Sequence, residues 1–361
     1  IQMLKENGWH VDVACAGEEE VPYCDMQYHM IYKRNPVSFR TILGVAQLHK
    51  ILKKGSYDVV YCHTPTAGVV SRLATIGLRN MPCMMDTAHG FHFFKGAALI
   101  NWLVYFPIVW LLSYRTDRLI VVNQEDYNTA QKFHIGMKDL KIFHEMGVNK
   151  EKFTQKVDEE TLSALRQEFG IKKGQTVLTY VAELIDNKNQ TVLIQALKLL
   201  LKQKRNVKLL LVGPEHDDGK YAEYAKKIGV SSRVIFTGWR SDIPAILGIT
   251  DIYVASSLRE GVGLNLVEAQ YAGIPVVASD NRGHREVIED GKNGYLVNPK
   301  DPYTYAKRIS TLMDHPEIKD SFIAESAVSA EKFSVEHSMN SIKSYFRSFK
   351  HENSVDNHGN L

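Results

Sequence analysis

Apolar residues recur along this chain in two alternating sets separated by a polar interval. Short continuous runs read as buried strands, and apolar positions three and four apart read as one face of a helix. Ile1 to Asn7 reads as a helix tail stopped by Gly8, and His10 to Ala14 (HVDVA) as a short strand. Phe39, Ile42, Leu43, Ala46, Ile51 and Leu52 share one helical face, which predicts a helix over Phe39 to Lys53 with Ser38 as its cap and Gly55 beyond its end. Tyr57 to Cys62 (YDVVYC), Met81 to Ala88 and Arg118 to Asn123 (RLIVVN) read as strands, with a helix over Thr66 to Ile76 between the first two.

Residues 141–176 interrupt this rhythm with a turn-like Gly147, the charged run Asn149 to Lys152 and a polar helix near Glu159 to Phe169. A second set then begins. Its strands are Thr176 to Ala182, Val207 to Val212, Val234 to Thr237, Ile252 to Ser256 and Pro275 to Ser279. Its helices are Thr191 to Leu201, Tyr221 to Ile228 and Leu264 to Tyr271, the last stopped by Gly273. Alternation with short connections builds βαβ units on a parallel sheet. The expected fold class is therefore α/β, with two doubly wound Rossmann-like domains in tandem and ligands at the carboxyl ends of strands. The expected boundary lies near 155, with residues 1–155 in the first domain and 156–334 in the second. Residues 335–350 are expected to form a helix that packs back toward the first domain, and 351–361 a disordered polar tail. Asp217 and Asp218 are expected in a solvated loop.

Length agrees with that division, since 361 residues make two domains at about 150 residues each. Lys and Arg total 44 against 41 Asp and Glu, a net charge of +3, which argues against a strongly basic nucleic-acid binder and leaves room only for a local patch. No nucleic-acid partner is expected. Cys15, Cys24, Cys62 and Cys83 have no C-x-x-C spacing and read as small buried apolar side chains in a reducing compartment. That cysteine reading sets the expected location in the cytoplasm; no secretory signal is visible, and one ahead of Ile1 would not be seen. Because the chain opens inside an element, it is expected to be a piece whose first strand precedes Ile1.

Residues 97–114 (AALINWLVYFPIVWLLSY) are about long enough to span a bilayer. Asn101 and Pro107 interrupt the run, and Arg115, Thr116, Asp117 and Arg118 follow at once, which argues against spanning. Two readings stay open: a buried core helix, or a helix at a membrane interface, which the Trp, Tyr and Arg residues suit.

Residues 257–273 (SLREGVGLNLVEAQYAG) carry the sharpest chemical signal. Glu260, Gly261 and Gly263 lie between a buried strand and a helix that starts near Leu264. Glycines ahead of a helix let backbone N–H groups approach an anion, and the helix dipole adds positive potential. Glu268, inside that helix, is a poor partner for phosphate and a good acceptor for sugar hydroxyls. The loop matches neither the P-loop nor the dinucleotide glycine pattern. An ordinary strand–helix turn with two surface glutamates fits the spacing equally well. His, Asp and Glu show no metal-ligand spacing such as H-E-x-x-H, so no metal ligands and no cofactor are expected.

Seven residues separate Glu260 from Glu268 in EGVGLNLVE, which runs on into AQYAGIPVVAS. With VYCHTP at 60–65, TAHGFHF at 87–93, TDRLIVVNQEDY at 116–127, AELIDNKNQ at 182–190 and FTGWRSDI at 236–243, this frame resembles the retaining GT-B glycosyltransferases of family 4. TAHGFHF followed by the aromatic helix resembles their bacterial capsular and exopolysaccharide branch. The resemblance covers nearly the whole chain and implies a cleft between the two domains. It implies transfer with retention from a nucleotide-sugar co-substrate, a UDP-sugar, to a lipid-linked saccharide at the inner membrane surface. Glu268 would bind the donor ribose, Glu260 would sit by the transferred sugar, and the backbone of Gly263, Leu264 and Asn265 would cradle the diphosphate. Lys188 would neutralise the leaving diphosphate. Trp239 and Arg240 would border the base, and His89 would face the reacting sugar. By its place after the strand YDVVYC, His63 would line the acceptor side. A sugar-nucleotide epimerase of the same fold and a non-catalytic assembly partner are the rival readings.

Two departures qualify the resemblance. Many relatives carry Gly-Arg where this chain has Ala182-Glu183, so Lys188 would carry the diphosphate charge alone or with Arg240 or Arg282. The family's first strand and its glycine-bearing loop would lie ahead of Ile1.

Overall fold

The structure is a computed structural model that describes residues 1–32, 38–216 and 219–356, with side chains as far as Phe349. The loop expected at Asp217 and Asp218 lies outside the described residues, as does the end of the expected tail, 357–361. The chain forms two compact units, residues 1–145 with 338–361, and residues 146–337.

The first unit contains strands β1 (Asp12–Cys15), β2 (Met26–His29), β3 (Val59–Cys62), β4 (Cys83–Ala88), β5 (Arg118–Val121) and β6 (Leu140–Ile142). β3 to β6 form one parallel sheet in sequence order, and β1 pairs with β2, also in parallel. The predicted helix spans Phe39–Lys54, and the Ser38 hydroxyl accepts from the Arg40 amide at 3.3 Å as its cap. Met85 and Ile120 of the sheet pack with Phe346 and Phe349 of the carboxyl-terminal helix, Val335–Asp356. Arg118 seals that contact: its guanidinium lies 3.7 Å from the Phe349 ring centroid and donates to Ser348 at 2.7 Å. This helix runs past the expected end at 350, through residues assigned to the tail.

The second unit holds β7 (Thr176–Val181), β8 (Val207–Val212), β9 (Val234–Gly238), β10 (Ile252–Ala255), β11 (Val276–Ser279) and β12 (Tyr295–Val297). They form one parallel sheet in the order β12-β11-β10-β7-β8-β9, the doubly wound arrangement. β8 and β10 are buried along their whole length, which is why they read as continuous apolar runs. Helices Gln190–Lys202 and Leu264–Tyr271 stand after β7 and β10.

The unit boundary falls ahead of the expected residue 155 because residues after Glu145 are stitched to the second unit. The Val148 amide donates to Phe333 O at 2.8 Å, Val335 N donates back to Val148 O at 3.2 Å, and Phe153 enters the core. At Gly147 a Cβ would stand 2.5 Å from Ser334 O, so only glycine lets this strap lie so close. Of the cysteines only Cys62 is buried; Cys15, Cys24 and Cys83 are half-buried, and all four are free.

The aromatic segment forms helix Leu99–Ser113, with Pro107 inside it. Trp102, Tyr105, Phe106 and Val109 pack on Phe91, Phe93 and Ile135, while Leu99, Leu103 and Leu111 are 72%, 65% and 63% exposed. It is thus core on one face and open on the other. Among the described residues no helix is long and apolar enough to cross a membrane.

Candidate functional site

In the second sheet β7 and β10 are neighbours, and the chain leaves them in opposite directions, to β8 on one side and β11 on the other. That reversal opens a crevice at their carboxyl ends. The β7 loop contains a 3₁₀ turn at Asp186–Lys188 and then Asn189 in the left-handed conformation, φ 54°. The β10 loop runs from Ser256 to Gly263.

Reciprocal bonds lace the two loops. Leu258 N donates to Asn187 O at 2.7 Å, Asn187 Nδ2 to Arg259 O at 3.0 Å, and the Ser256 hydroxyl to Lys188 O at 2.7 Å. Asn189 Nδ2 donates to Pro299 O at 2.7 Å and to Ser256 O at 3.3 Å. On this frame Lys188 Nζ donates to Glu260 Oε1 at 2.5 Å.

From the other side, residues 279–284 cradle the β10 loop. Asn281 Nδ2 and the Ser279 hydroxyl both donate to Ser257 O, at 2.9 and 2.6 Å, and Arg282 Nε donates to Glu260 O at 3.3 Å. His284 is fully buried and its Nδ1 lies 2.8 Å from Ser279 O. Burial pushes its pKa down to about 4, so the ring is neutral, with Nδ1 donating and Nε2 an acceptor without a partner. Neither this cradle nor His284 was legible in the sequence, because small polar residues after a strand read as an ordinary turn.

The helix after the loop starts at Leu264 with Gly263 as a cap lacking a side-chain bond. Two of the three backbone amides expected to face a diphosphate make local bonds: Gly263 N to Gly283 O at 3.4 Å and Leu264 N to Val262 O at 3.1 Å. Asn265 adds a contact the spacing did not suggest, Nδ2 to Val181 O at 3.2 Å at the end of β7. Glu268 is half-buried, and burial raises its pKa against the opposing charge of Lys152.

Trp239 and Arg240 follow β9, and Trp239 is 73% exposed. The Arg240 guanidinium is held by Asp242, at 2.8 and 2.6 Å, and by Glu168 at 2.7 Å. Two carboxylates therefore already neutralise the charge that could have assisted Lys188.

In the first unit His63 follows β3 and His89 follows β4. The structure brings them together, ring centroids 6.0 Å apart and nearly parallel, with Tyr61 at 4.1 Å from His63. Glu145, which no sequence pattern marked, joins them: its Oε2 lies 3.6 Å from His63 Nδ1, and its Oε1 accepts from Thr87 Oγ1 at 2.6 Å. Although about half of the His63 side chain is open to solvent, desolvation and the His89 charge push it down to about 4. Desolvation by the surrounding side chains lowers His89, although its surface is open to solvent, and burial pushes Glu145 up to about 8. Beside His89 a cavity of about 260 Å³ opens under the aromatic helix, lined by Phe91, Phe93, Tyr105, Val109 and Leu112. A larger one, about 930 Å³, lies at the amino ends of β3 and β4 among Asp58 and Cys83, the wrong end of a parallel sheet for a ligand.

Two units of Rossmann type, each built on a parallel sheet, are the architecture of the GT-B fold. HepE from Anabaena, solved in complex with UDP-glucose, superposes with a TM-score of 0.78 at 21% identity, over 96% of this chain and 94% of that one. WaaG, a glycosyltransferase involved in lipopolysaccharide biosynthesis, gives 0.73 at 18% identity over 94% and 92%.

The family described as glycosyl transferases group 1 matches residues 163–327, and the glycosyl transferase 4-like family matches residues 1–123. EpsD of Bacillus subtilis strain 168, described as a glycosyltransferase, is 39% identical over 92% of this chain and 87% of its own length. An Escherichia coli UDP-Gal:alpha-D-GlcNAc-diphosphoundecaprenol alpha-1,3-galactosyltransferase is 28% identical over 78% of this chain and 73% of its own. The chain belongs to the group 1, family-4-like glycosyltransferases.

Proposed function

We propose that this enzyme transfers a sugar, with retention, from a UDP-sugar to a lipid-linked saccharide at the inner face of the cytoplasmic membrane, in capsule or exopolysaccharide synthesis. The observation that carries the reading is the Lys188–Glu260 pair at the switch point of the second sheet, beside a helix amino terminus and Glu268. Breaking a glycosyl–phosphate bond leaves an oxocarbenium-like sugar and a negative diphosphate. Lys188 and the backbone of Gly263, Leu264 and Asn265 meet that developing negative charge where it forms, the Gly263 and Leu264 amides exchanging their bonds to Gly283 O and Val262 O for phosphate oxygens. Glu260 and Glu268 accept from hydroxyls of the transferred sugar and the ribose. Trp239 and the backbone at Arg240 border the base. The departing phosphate takes the acceptor proton on the face it leaves, so the configuration is kept. With Lys188 in place, no divalent ion is assigned to the donor.

The roles we propose for His89 and His63 are toward the reacting sugar and the acceptor. The apolar cavity beside His89 and the open face of the aromatic helix suit an amphiphilic acceptor at a membrane surface. A donor of the UDP class and a diphosphoundecaprenol-type acceptor are supported by the names of the relatives described above.

The test is incubation with a panel of UDP-sugars and lipid-linked acceptors, with and without EDTA. Expected are UDP release that needs the acceptor and survives the chelator, and a product of unchanged anomeric configuration. A changed UDP-sugar without acceptor would instead identify an epimerase. UDP binding without turnover on any pair would identify a non-catalytic partner.

A further inference from the structure

We propose that His63, His89 and Glu145 form a binding site for a late first-row divalent cation of the zinc class. His63 follows β3, His89 follows β4 and Glu145 lies beyond β6, so the parallel sheet delivers all three to one end. One ligand atom from each lies within 4.8 Å of the other two. Tetrahedral zinc holds its nitrogen and oxygen ligands at about 2.0–2.2 Å, which sets them about 3.3 Å apart. Closing that difference asks for rotation of the two exposed imidazoles.

Glu145 carries the argument. Its Oε1 accepts from Thr87 Oγ1 at 2.6 Å, and Thr87 Oγ1 in turn lies 2.9 Å from the Tyr61 hydroxyl. Metal-binding carboxylates are oriented by such outer partners. Its other oxygen, Oε2, is buried without a hydrogen-bond partner, on a side chain only 5% exposed. Oε2 stands 3.6 Å from His63 Nδ1, too far for a hydrogen bond and close enough to share an ion. An orphaned buried carboxylate oxygen is costly, and a cation held with two imidazoles removes the cost. Two nitrogens and one oxygen favour zinc, copper, nickel or iron(II) over magnesium or calcium. The exposed histidines leave a fourth position open to solvent.

A further consequence rests on the role proposed above for His89. An ion that engages its imidazole withholds it from sugar, so the metal-loaded protein is the slower form, and transfer itself needs no metal.

The experiment uses the full chain, stripped with EDTA and moved to a non-coordinating buffer, titrated with cobalt(II) and with zinc chloride. Expected are one ion per chain in the micromolar range or tighter, the visible absorption of tetrahedral cobalt, and a weakening of about tenfold or more in His89→Ala and in Glu145→Gln. His63→Ala and His89→Ala alter exposed side chains, so they carry the test if Glu145→Gln does not fold. Absence of stoichiometric binding, or binding that persists in His89→Ala, overturns the site. Loss in His10→Ala alone also overturns it, since the ion would then sit on the His10–Asp12–Asp25 group. UDP binding, followed separately in EDTA, shows whether a failure lies here or in the donor reading.

Discussion

Lys188 Nζ stands 2.5 Å from Glu260 Oε1 and joins the two loops that leave β7 and β10. The side chains are 21% and 17% exposed, so the pair is screened from water without being sealed in the core. Glu260 holds the ammonium in position, and an arriving diphosphate competes for it. Lys188→Ala is expected to lower kcat by about a hundredfold or more, the scale of losing one stabiliser of developing charge. Stability is expected to fall by only about 1 kcal/mol, because solvent reaches the unpaired Glu260. Acceptor-dependent UDP release and urea midpoints read the two effects. An activity within threefold of the parent would remove Lys188 from the reaction.

Gly283 lets the cradle close on Glu260. Its φ of −76° suits any residue, yet a Cβ there would lie 2.7 Å from Glu260 Cβ and 2.8 Å from its carbonyl. Gly283→Ala is thus a purely steric wedge against the loop that carries Glu260. We expect a loss of about 1–3 kcal/mol from overpacking, together with weaker UDP binding by calorimetry. Loss of stability with donor affinity intact would show that Glu260 need not hold this position.

The second unit was largely legible because its central strands are buried on both faces. Val207 to Val212 and Leu264 to Tyr271 were predicted to the residue. In the first unit β2, Met26–His29, alternates weakly and has no apolar run, so period gave no signal. β6 and β12 span three residues each, too short for any period. At the site, Lys188, Glu260 and Glu268 were singled out through the family resemblance of their motifs, whereas Glu145 and His284 stand out only by their burial. A lone Glu or His in a polar stretch carries no trace of what will surround it.

Buried neutral, His284 makes the second unit acid-sensitive. Its pKa falls from the usual 6.5 to about 4, with desolvation as the largest cause. A depressed folded value means that the stabilising contribution is complete above pH 6.5 and is lost as the pH falls through about 4. At 1.36 kcal/mol per unit this amounts to about 3 kcal/mol. Thermal unfolding between pH 7 and 4 should therefore show a steeper decline for the parent than for His284→Gln, which cannot titrate. Equal slopes would mean that protonated His284 is tolerated in place.

The aromatic helix sets two faces against different surroundings, and substitution separates them. Phe93 is fully buried beneath it, in contact with Trp102 and Phe106, so Phe93→Ala is expected to cost about 3–5 kcal/mol. Leu103 and Leu111 are largely exposed, and replacing both by Glu removes little packing, so stability is expected to hold within about 0.5 kcal/mol. Lys95 and Arg115 flank the helix in sequence, and each basic side chain near an anionic surface adds about 1 kcal/mol of attraction. If this face meets a membrane, Leu103→Glu/Leu111→Glu loses both the apolar insertion and, through its new negative charges, that attraction. Co-sedimentation with vesicles containing anionic lipid should be strong for the parent and absent for the double variant, while transfer to a short, water-soluble acceptor is unchanged. Parent protein that stays in the supernatant would confine the role of this helix to the core it covers.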